Sequence, residues 1–421
     1  MTNNLFIAYI IFEAKTALKV GSRNADFLQD SPIQKDWNEL PMILGTSITG
    51  VLRKEFEEKM AKEIFGSGDI GSKTIISNAL LLDENKKVNE SLLLEKSKFL
   101  ENFIVLPIRE HNAMNHKGVT IDKSKYDEEV VFKGTQFKFS IEMLNENEDD
   151  KNKFFELLNL LSKNSFRIGS GSTKGFGQVE VLEITYDEFD VNSEEYINLS
   201  SSLNTNLSKT YETKKFNDEN YIKYELTLTP DDFFMFGSGF GDDDADMTPV
   251  YEKIIDYDKK CLSNEKVLIP ASSVKGAISH RTTYYYNLLN ENFIGSEDIC
   301  EIVEPIFGAK KDKDKDVFKG NILISDVYLD NNSVKVFDHV SIDRFTGGAI
   351  DSALFQEKTV ASKEIFTLEI LIKKDIEDVK AIEAFEKTLK EITTGMLSLG
   401  GATTKGHGVF TGKLLKDGEQ I

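Results

Sequence analysis

Two stretches place carboxylates on loop-like sequence just after an alternating apolar run. The first is Gly21-Ser22-Arg23-Asn24-Ala25-Asp26-Phe27-Leu28-Gln29-Asp30-Ser31-Pro32-Ile33. The second runs from Gly237 to Val250 and holds Asp242, Asp243, Asp244 and Asp246 before Met247-Thr248-Pro249-Val250. A carboxylate on such a loop can accept a proton or hold a hydrated Mg²⁺. The aspartates from 242 to 246 match no EF-hand spacing, and by composition alone a solvated acidic loop is the plainer reading. Two glycine-rich segments carry a lysine each: Gly169-Ser170-Gly171-Ser172-Thr173-Lys174-Gly175-Phe176-Gly177 and Gly400-Gly401-Ala402-Thr403-Thr404-Lys405-Gly406-His407-Gly408. Close glycines let backbone N–H groups approach a phosphate, and the lysine adds charge. The same pattern also makes a tight turn into a strand. A phosphate-cradling P-loop requires Ser or Thr directly after the lysine, and here Gly175 and Gly406 follow it.

Two helix starts add hydroxyls and cations: Thr46-Ser47-Ile48-Thr49-Gly50-Val51-Leu52-Arg53, and Ala271-Ser272-Ser273-Val274-Lys275-Gly276 with Arg281 further along. A helix N-terminus of this kind accepts a phosphate or is simply capped by its own hydroxyls. A further segment, Asp338-His339-Val340-Ser341-Ile342-Asp343-Arg344-Phe345-Thr346-Gly347-Gly348-Ala349, followed by Leu354-Phe355-Gln356-Glu357, reads as a hairpin with Arg344 and Phe345 near its tip. Such a tip can stack on bases or be only a surface turn. The five histidines, His111, His116, His280, His339 and His407, show no metal-ligand spacing, and no GxSxG elbow is present. Zinc-enzyme and serine-hydrolase readings therefore have no support.

The elements that must position these residues come in two copies. The helix starts repeat at an offset of 226, Ile64-Phe65-Gly66 and Ile306-Phe307-Gly308 at 242, and Ile76-Ser77-Asn78 and Ile324-Ser325-Asp326 at 248. His111 and His339 lie 228 apart, and the glycine-rich segments 231 apart. Shared order with a narrow spread of offsets identifies a tandem duplication. The last offset jump spans Lys310 to Asp316, a charged insertion of solvated-loop character to which no function is assigned. The first copy covers residues 1–190, a Ser/Asn/Thr-rich linker 191–220, and the second copy 221–421. Leu5–Ala17 and Tyr221–Leu228 alternate as half-buried strands, Thr49–Ile64 has the spacing of a single amphipathic helix, and Asp149–Lys163 and Ala381–Met396 form a second helix in each copy. Strand, loop, helix, strands, helix, strand predicts an α+β fold of two ferredoxin-like, RRM-like domains.

Composition narrows the setting. With 421 residues, 40% hydrophobic and 29% charged, the chain can build two folded cores. It has no apolar run of membrane length, and its N-terminus reads as a strand and not a signal peptide. Two cysteines are too few for a disulfide framework, which suits a reducing, cytoplasmic setting. A net charge of −20 disfavours free binding to a polyphosphate, so any nucleic-acid contact must be local.

The four sites in this order resemble the RAMP superfamily of CRISPR proteins, and more closely a fused pair of backbone subunits of type III (type III-D-like) effector complexes. The segments carrying the resemblance are Ile269 to Gly276, Ser341 to Ala349 and the two glycine-rich loops. The resemblance implies a β-hairpin thumb in each copy and binding of a guide RNA (crRNA). It also implies metal-dependent cleavage of a complementary target RNA by a loop aspartate, with Mg²⁺ or another divalent cation held only transiently. By that match the catalytic residues are Asp30 and Asp246, with Asp26 and Asp244 as alternatives. The Met247-Thr248 pair leaves one residue more before Pro249 than Ser31 does before Pro32. RNA-binding residues are Ser47, Arg53, Lys174, Gly175, Ser273, Lys275, Arg281, His339, Arg344, Phe345, Lys405 and Gly406. Copy one departs from the pattern at Thr49, where the helix-start lysine is missing, and at Asn115-His116, which replaces Asp-Arg in the thumb. The implied partners are further backbone subunits, a 5′-handle-binding subunit and a large polymerase-like subunit, with no membrane. A scaffold that only binds the guide is the alternative. A guide-maturing endonuclease would lean on His407, which Phe176 replaces in copy one.

Overall fold

The computed structural model describes residues 4–22, 32–93, 97–115, 119–214, 218–293, 300–308, 319–330 and 333–421. Each copy builds an antiparallel sheet in the ferredoxin-like order. In copy one the strand Asn4–Ala14 lies between Gln136–Asn145 and Val179–Asp190, with Ala79–Leu81 on the far side of Gln136–Asn145. In copy two Tyr221–Pro230 lies between Phe366–Lys373 and Phe410–Lys416, with Ile322–Ile324 outermost. The central strands are apolar enough to be covered. Phe6 stacks at 4.8 Å on Phe154 of the helix Glu148–Leu160, and Tyr224 packs edge-on to Phe385 of the helix Val379–Thr393. Asn147 and Asp378 cap those helices through Asp150 N (3.0 Å) and Ala381 N (3.0 Å).

The expected single helix from Thr49 to Ile64 is two helices, Gly45–Arg53 and Glu58–Phe65. One apolar period runs through both, with Phe56 packed on Phe65, so the spacing does not reveal the break. The counterpart in copy two is one helix, Ala271–Leu289. Each helix start is held from a neighbouring turn. Asn78 accepts the Gly45 N–H at 2.9 Å and Asp326 the Ala271 N–H at 2.8 Å, which accounts for the Ile-Ser-Asn/Asp repeat.

Residues 191–214 are not a free tether. Lys209–Thr210 pairs with Val179–Asp190, Leu203 and Leu207 are buried, and the Tyr9 hydroxyl donates to the Ser202 carbonyl at 3.2 Å. Neighbouring positions on a strand face opposite ways, so this segment covers the sheet face that Phe6 does not use. The outer face of the second sheet is an ionic surface, Lys223 pairing with Glu225 (3.0 Å) and Glu369 (2.9 Å). Neither sheet offers the open aromatic face on which an RRM stacks bases.

Where the two copies meet, the contact is buried and charged. Arg109 Nη1 donates to Asp326 at 2.5 Å, Nη2 to Glu252 at 2.8 Å and to Tyr328 Oη at 3.0 Å, and Nε also donates to Glu252. Burial works against the guanidinium, but Asp326 and Glu252 outweigh it and hold it cationic. Ile255 and Tyr257 of copy two enter the first core, with the Tyr257 hydroxyl donating to the Leu82 carbonyl at 2.8 Å. Among the described residues no helix is long and apolar enough to cross a membrane.

Candidate nucleic-acid interface

Each copy projects a two-stranded thumb. In copy one it is Ile108–His111 paired with Tyr126–Glu129, and in copy two Val334–His339 paired with Phe355–Ala361. The second thumb ends in a turn that Asp343 organises by accepting the N–H groups of Phe345 (2.9 Å) and Thr346 (2.7 Å). These bonds hold the Asp343 carboxyl below its ordinary range. Phe345 is 98% exposed at this tip, beside Arg344.

The acidic loop of copy two is stitched to its thumb. Met247 N donates to the Gln356 carbonyl (3.1 Å) and Lys358 N to the Met247 carbonyl (2.8 Å). Lys358 pairs with Asp242 and Asp244, the latter at 3.1 Å, and holds Asp242 below its usual range. Asp246 is exposed, and its Oδ2 accepts the Gln356 N–H at 2.8 Å, while Oδ1 has no hydrogen-bond partner among the described residues. Asp244 is thus held by the Lys358 ammonium and Asp246 by the thumb-strand backbone, each through one carboxylate oxygen. In copy one Asp26 and Asp30 lie outside the described residues, as do His116 and the Lys310–Asp316 insertion. The ends of the first acidic loop are described: Gly21 bridges Ile33, as Gly237 bridges Pro249, and Ile33 N donates to Glu129 at 2.8 Å. These bridges correct the sequence alignment. Pro249 matches Ile33 and not Pro32, and Asp30 and Asp246 each stand three positions before the bridged residue, with no extra residue in copy two.

At the base of the second thumb, His339, Phe355, Lys405, Gly406 and His407 join Phe233 and Phe337 around an open groove of about 580 Å³. His339 stacks on Phe355 at 4.8 Å and the Lys405 ammonium sits 4.6 Å from the same ring. Lys405 donates to the buried Glu357 at 2.6 Å. Copy one repeats the set: His111 stacks on Tyr126 at 5.0 Å, Lys174 donates to the Tyr126 hydroxyl at 2.7 Å, and the buried carboxylate is Glu128. Burial pushes the Glu128 carboxyl up, but His111, Lys19 and Lys174 outweigh it and bring it down to about 2.

A family model described as the RAMP superfamily matches residues 11–180 and again 256–411, one match in each copy. The chain belongs to the RAMP superfamily. A solved structure similar to it is the cryo-EM structure of the type III-B Cmr-beta bound to cognate target RNA, at 18% identity and a TM-score of 0.32. The match covers 44% of this chain and 61% of that one, so the chain spans less than two thirds of that relative. No curated protein matches it.

Other expected site residues of this RAMP protein divide into two groups. Ser47 lines a smaller groove with Lys19, Lys54 and Ser170. Ser273 is exposed in the first turn of Ala271–Leu289, and Lys275 one turn in is half-buried. Burial and the nearby Lys174 charge bring the Lys275 ammonium down to about 8, so cations of both copies converge on the seam between them. The second group has protein partners. Arg53 donates to the Gly66 carbonyl at 2.9 Å, and Arg281 is forked onto Glu391 and stacked 4.2 Å from Tyr284. Gly175 corrects the expectation of an open phosphate-binding backbone. At φ +113°, a Cβ there would lie 2.1 Å from Asp326 Oδ1, so this glycine serves close packing of the two copies. Gly406 keeps an open position. Sequence reading missed Glu128, Glu357 and Arg109. The aromatic-x-Glu pattern shared by Tyr126-Asp127-Glu128 and Phe355-Gln356-Glu357 is the signal for the first two.

Proposed function

We propose that this chain is a double backbone subunit of a type III RNA-guided effector complex, working in the cytoplasm. It would hold a crRNA guide and cut complementary target RNA at its acidic loops. The observation that carries this reading is Asp246, an exposed carboxylate tethered through one oxygen to the backbone of the thumb strand. A thumb carrying Arg344 and Phe345 supplies a wedge for a duplex, and the tether keeps the carboxylate at the thumb's base.

The chemistry is attack of a ribose 2′-oxygen on the adjacent phosphorus. The P–O5′ bond breaks and the departing 5′ oxygen takes a proton from water, leaving a 2′,3′-cyclic phosphate and a 5′-hydroxyl. Asp246 Oδ1 would take the 2′-hydroxyl proton, a contribution of about 10²–10⁴ in rate for a well-placed base. Lys405, held on Glu357, and Lys174, held on Tyr126, would neutralise phosphate oxygens, and the kink imposed by the thumb would favour in-line geometry. Among the described residues no group of three or more His, Cys, Asp or Glu side chains could hold a metal ion by itself. One free carboxylate oxygen does fit a hydrated Mg²⁺ that takes its remaining ligands from RNA phosphate and water, and Asp246 would hold it. Such an ion would stabilise the charge building on the phosphate.

The test uses the complex reconstituted with guide RNA, end-labelled complementary RNA and Mg²⁺. Asp30→Ala and Asp246→Ala should each erase one distinct cut, and the double variant both, with assembly unchanged. Wild-type complex that binds the target without cutting it would make the chain a guide-binding scaffold.

A further inference from the structure

Glu357 is wholly buried at the foot of the second thumb, where an unpaired carboxylate would be costly. Its Oε2 accepts from Lys405 at 2.6 Å and lies 3.3 Å from His339 Nε2, and its Oε1 lies 3.9 Å from His407 Nε2. The residues on either side of it face the acidic loop. The Gln356 N–H holds Asp246, and the Lys358 ammonium holds Asp242 and Asp244. One short strand therefore links the glycine-rich loop, the first strand of the thumb and the acidic loop.

Copy one builds the same link from different neighbours. Glu128 pairs with Lys19, lies 3.3 Å from His111 Nε2 and 3.9 Å from Lys174 Nζ, and Glu129 beside it accepts the Ile33 N–H of the first acidic loop. The glycine loop of copy one is packed against copy two and that of copy two is open at Gly406, yet both keep a buried glutamate, a thumb histidine and a loop lysine together. In copy one Lys19 and His111 already meet the buried glutamate, so its charge alone does not call for the glycine-loop lysine there.

We infer that Glu357, and Glu128 in copy one, are positioning residues that aim the glycine-loop lysine at the RNA strand held over the acidic loop. The inference rests on the reading of the acidic loops as cutting sites. Neutralising Glu357 leaves the Lys405 ammonium without its partner and loosens the strand position between Gln356 and Lys358, the two residues that hold the acidic loop. A displacement of about 1 Å can cost on the order of 10²-fold in rate.

The test measures single-turnover cutting at each site, and guide affinity, in the reconstituted complex. Glu357→Gln keeps the shape and should slow the Asp246-dependent cut at least ~10-fold, leaving the other cut and guide affinity within about twofold. Glu357→Asp, which keeps the charge, should recover part of the loss. Lys405→Met should lose as much as Glu357→Gln, and the double variant no more than either, because the two act as one unit. If Glu357→Gln fails to assemble, Lys405→Met at its exposed position carries the same test. A normal second cut in Lys405→Met or in Glu357→Gln overturns the inference, as does losses that simply multiply in the double variant. If instead Asp246→Ala leaves the second cut in place, the cutting-site reading itself falls.

Discussion

Replacing Arg109 by methionine tests the contact between the copies most directly. The side chain is buried, and its removal leaves Glu252 and Asp326, 5% and 0% exposed at the side chain, without their cation. Breaking a buried pair by deleting one partner costs about 3–5 kcal/mol. The pH dependence gives an independent estimate. Burial already pushes the Asp326 carboxyl up with Arg109 in place, and without that cation at least one of the two carboxyls should take up a proton, its folded pKa standing further above an unfolded value of ~4. Holding one carboxyl protonated at pH 7 costs about 1.4 kcal/mol for each of ~3 pH units, or ~4 kcal/mol, which agrees with the first figure. The sign follows: the unfolded chain ionises more readily, so the deficit is full at pH 7, shrinks as pH falls and disappears near the unfolded pKa. The assay is urea unfolding followed by circular dichroism at pH 7 and pH 5, with Lys62→Ala, which breaks the exposed Lys62–Glu58 pair, as the surface control. A loss below about 1 kcal/mol at pH 7, or one that does not change between pH 7 and pH 5, would refute the reasoning.

Further outcomes are expected. Gly175→Ala should destabilise by clearly more than the ~1–2 kcal/mol of left-handed backbone strain, because its Cβ meets Asp326 Oδ1. Gly406→Ala, at φ +89° with nothing within 4 Å of its Cβ, should cost only that strain, and paired thermal melts decide between them. Lys275 should titrate near 8 in side-chain NMR of the free chain and move upward in Lys174→Ala. Because the charged form is lost above that value, RNA affinity carried by Lys275 should weaken as pH rises through 8, unless bound phosphate restores the proton.

The duplication and the order of strands and helices were readable because each copy repeats glycine and capping patterns that local geometry demands. The Asn78 and Asp326 side chains show why one such pattern recurs. What could not be read depends on partners far away in the chain. Gly175 and Gly406 occupy the same motif, yet one is packed by residues about 150 positions downstream and the other is open. Arg53 and Arg281 sit at plausible spacing from the helix starts, but helical spacing does not decide which neighbour a long side chain meets, and both turn to protein groups. Glu357 was hidden because a charged residue in a hairpin strand ordinarily points to water. Composition likewise suggested a loose connection at 191–220, where a few well-placed apolar residues, Leu203 and Leu207 among them, are enough to fasten it.

The closed seam between the copies also sets a rule of counting. The two thumbs already share one polypeptide chain, and the Arg109 cluster and the insertion of Ile255 and Tyr257 into the first core pack their bases together. An assembly that takes up this chain adds thumbs two at a time, in fixed sequence and at a fixed interval. Such an assembly cannot drop or swap one thumb by exchanging a subunit, and one messenger sets the supply of both. In such an assembly the chain would act as a ruler with two marks, and whatever binds along it would have to be spaced to fit.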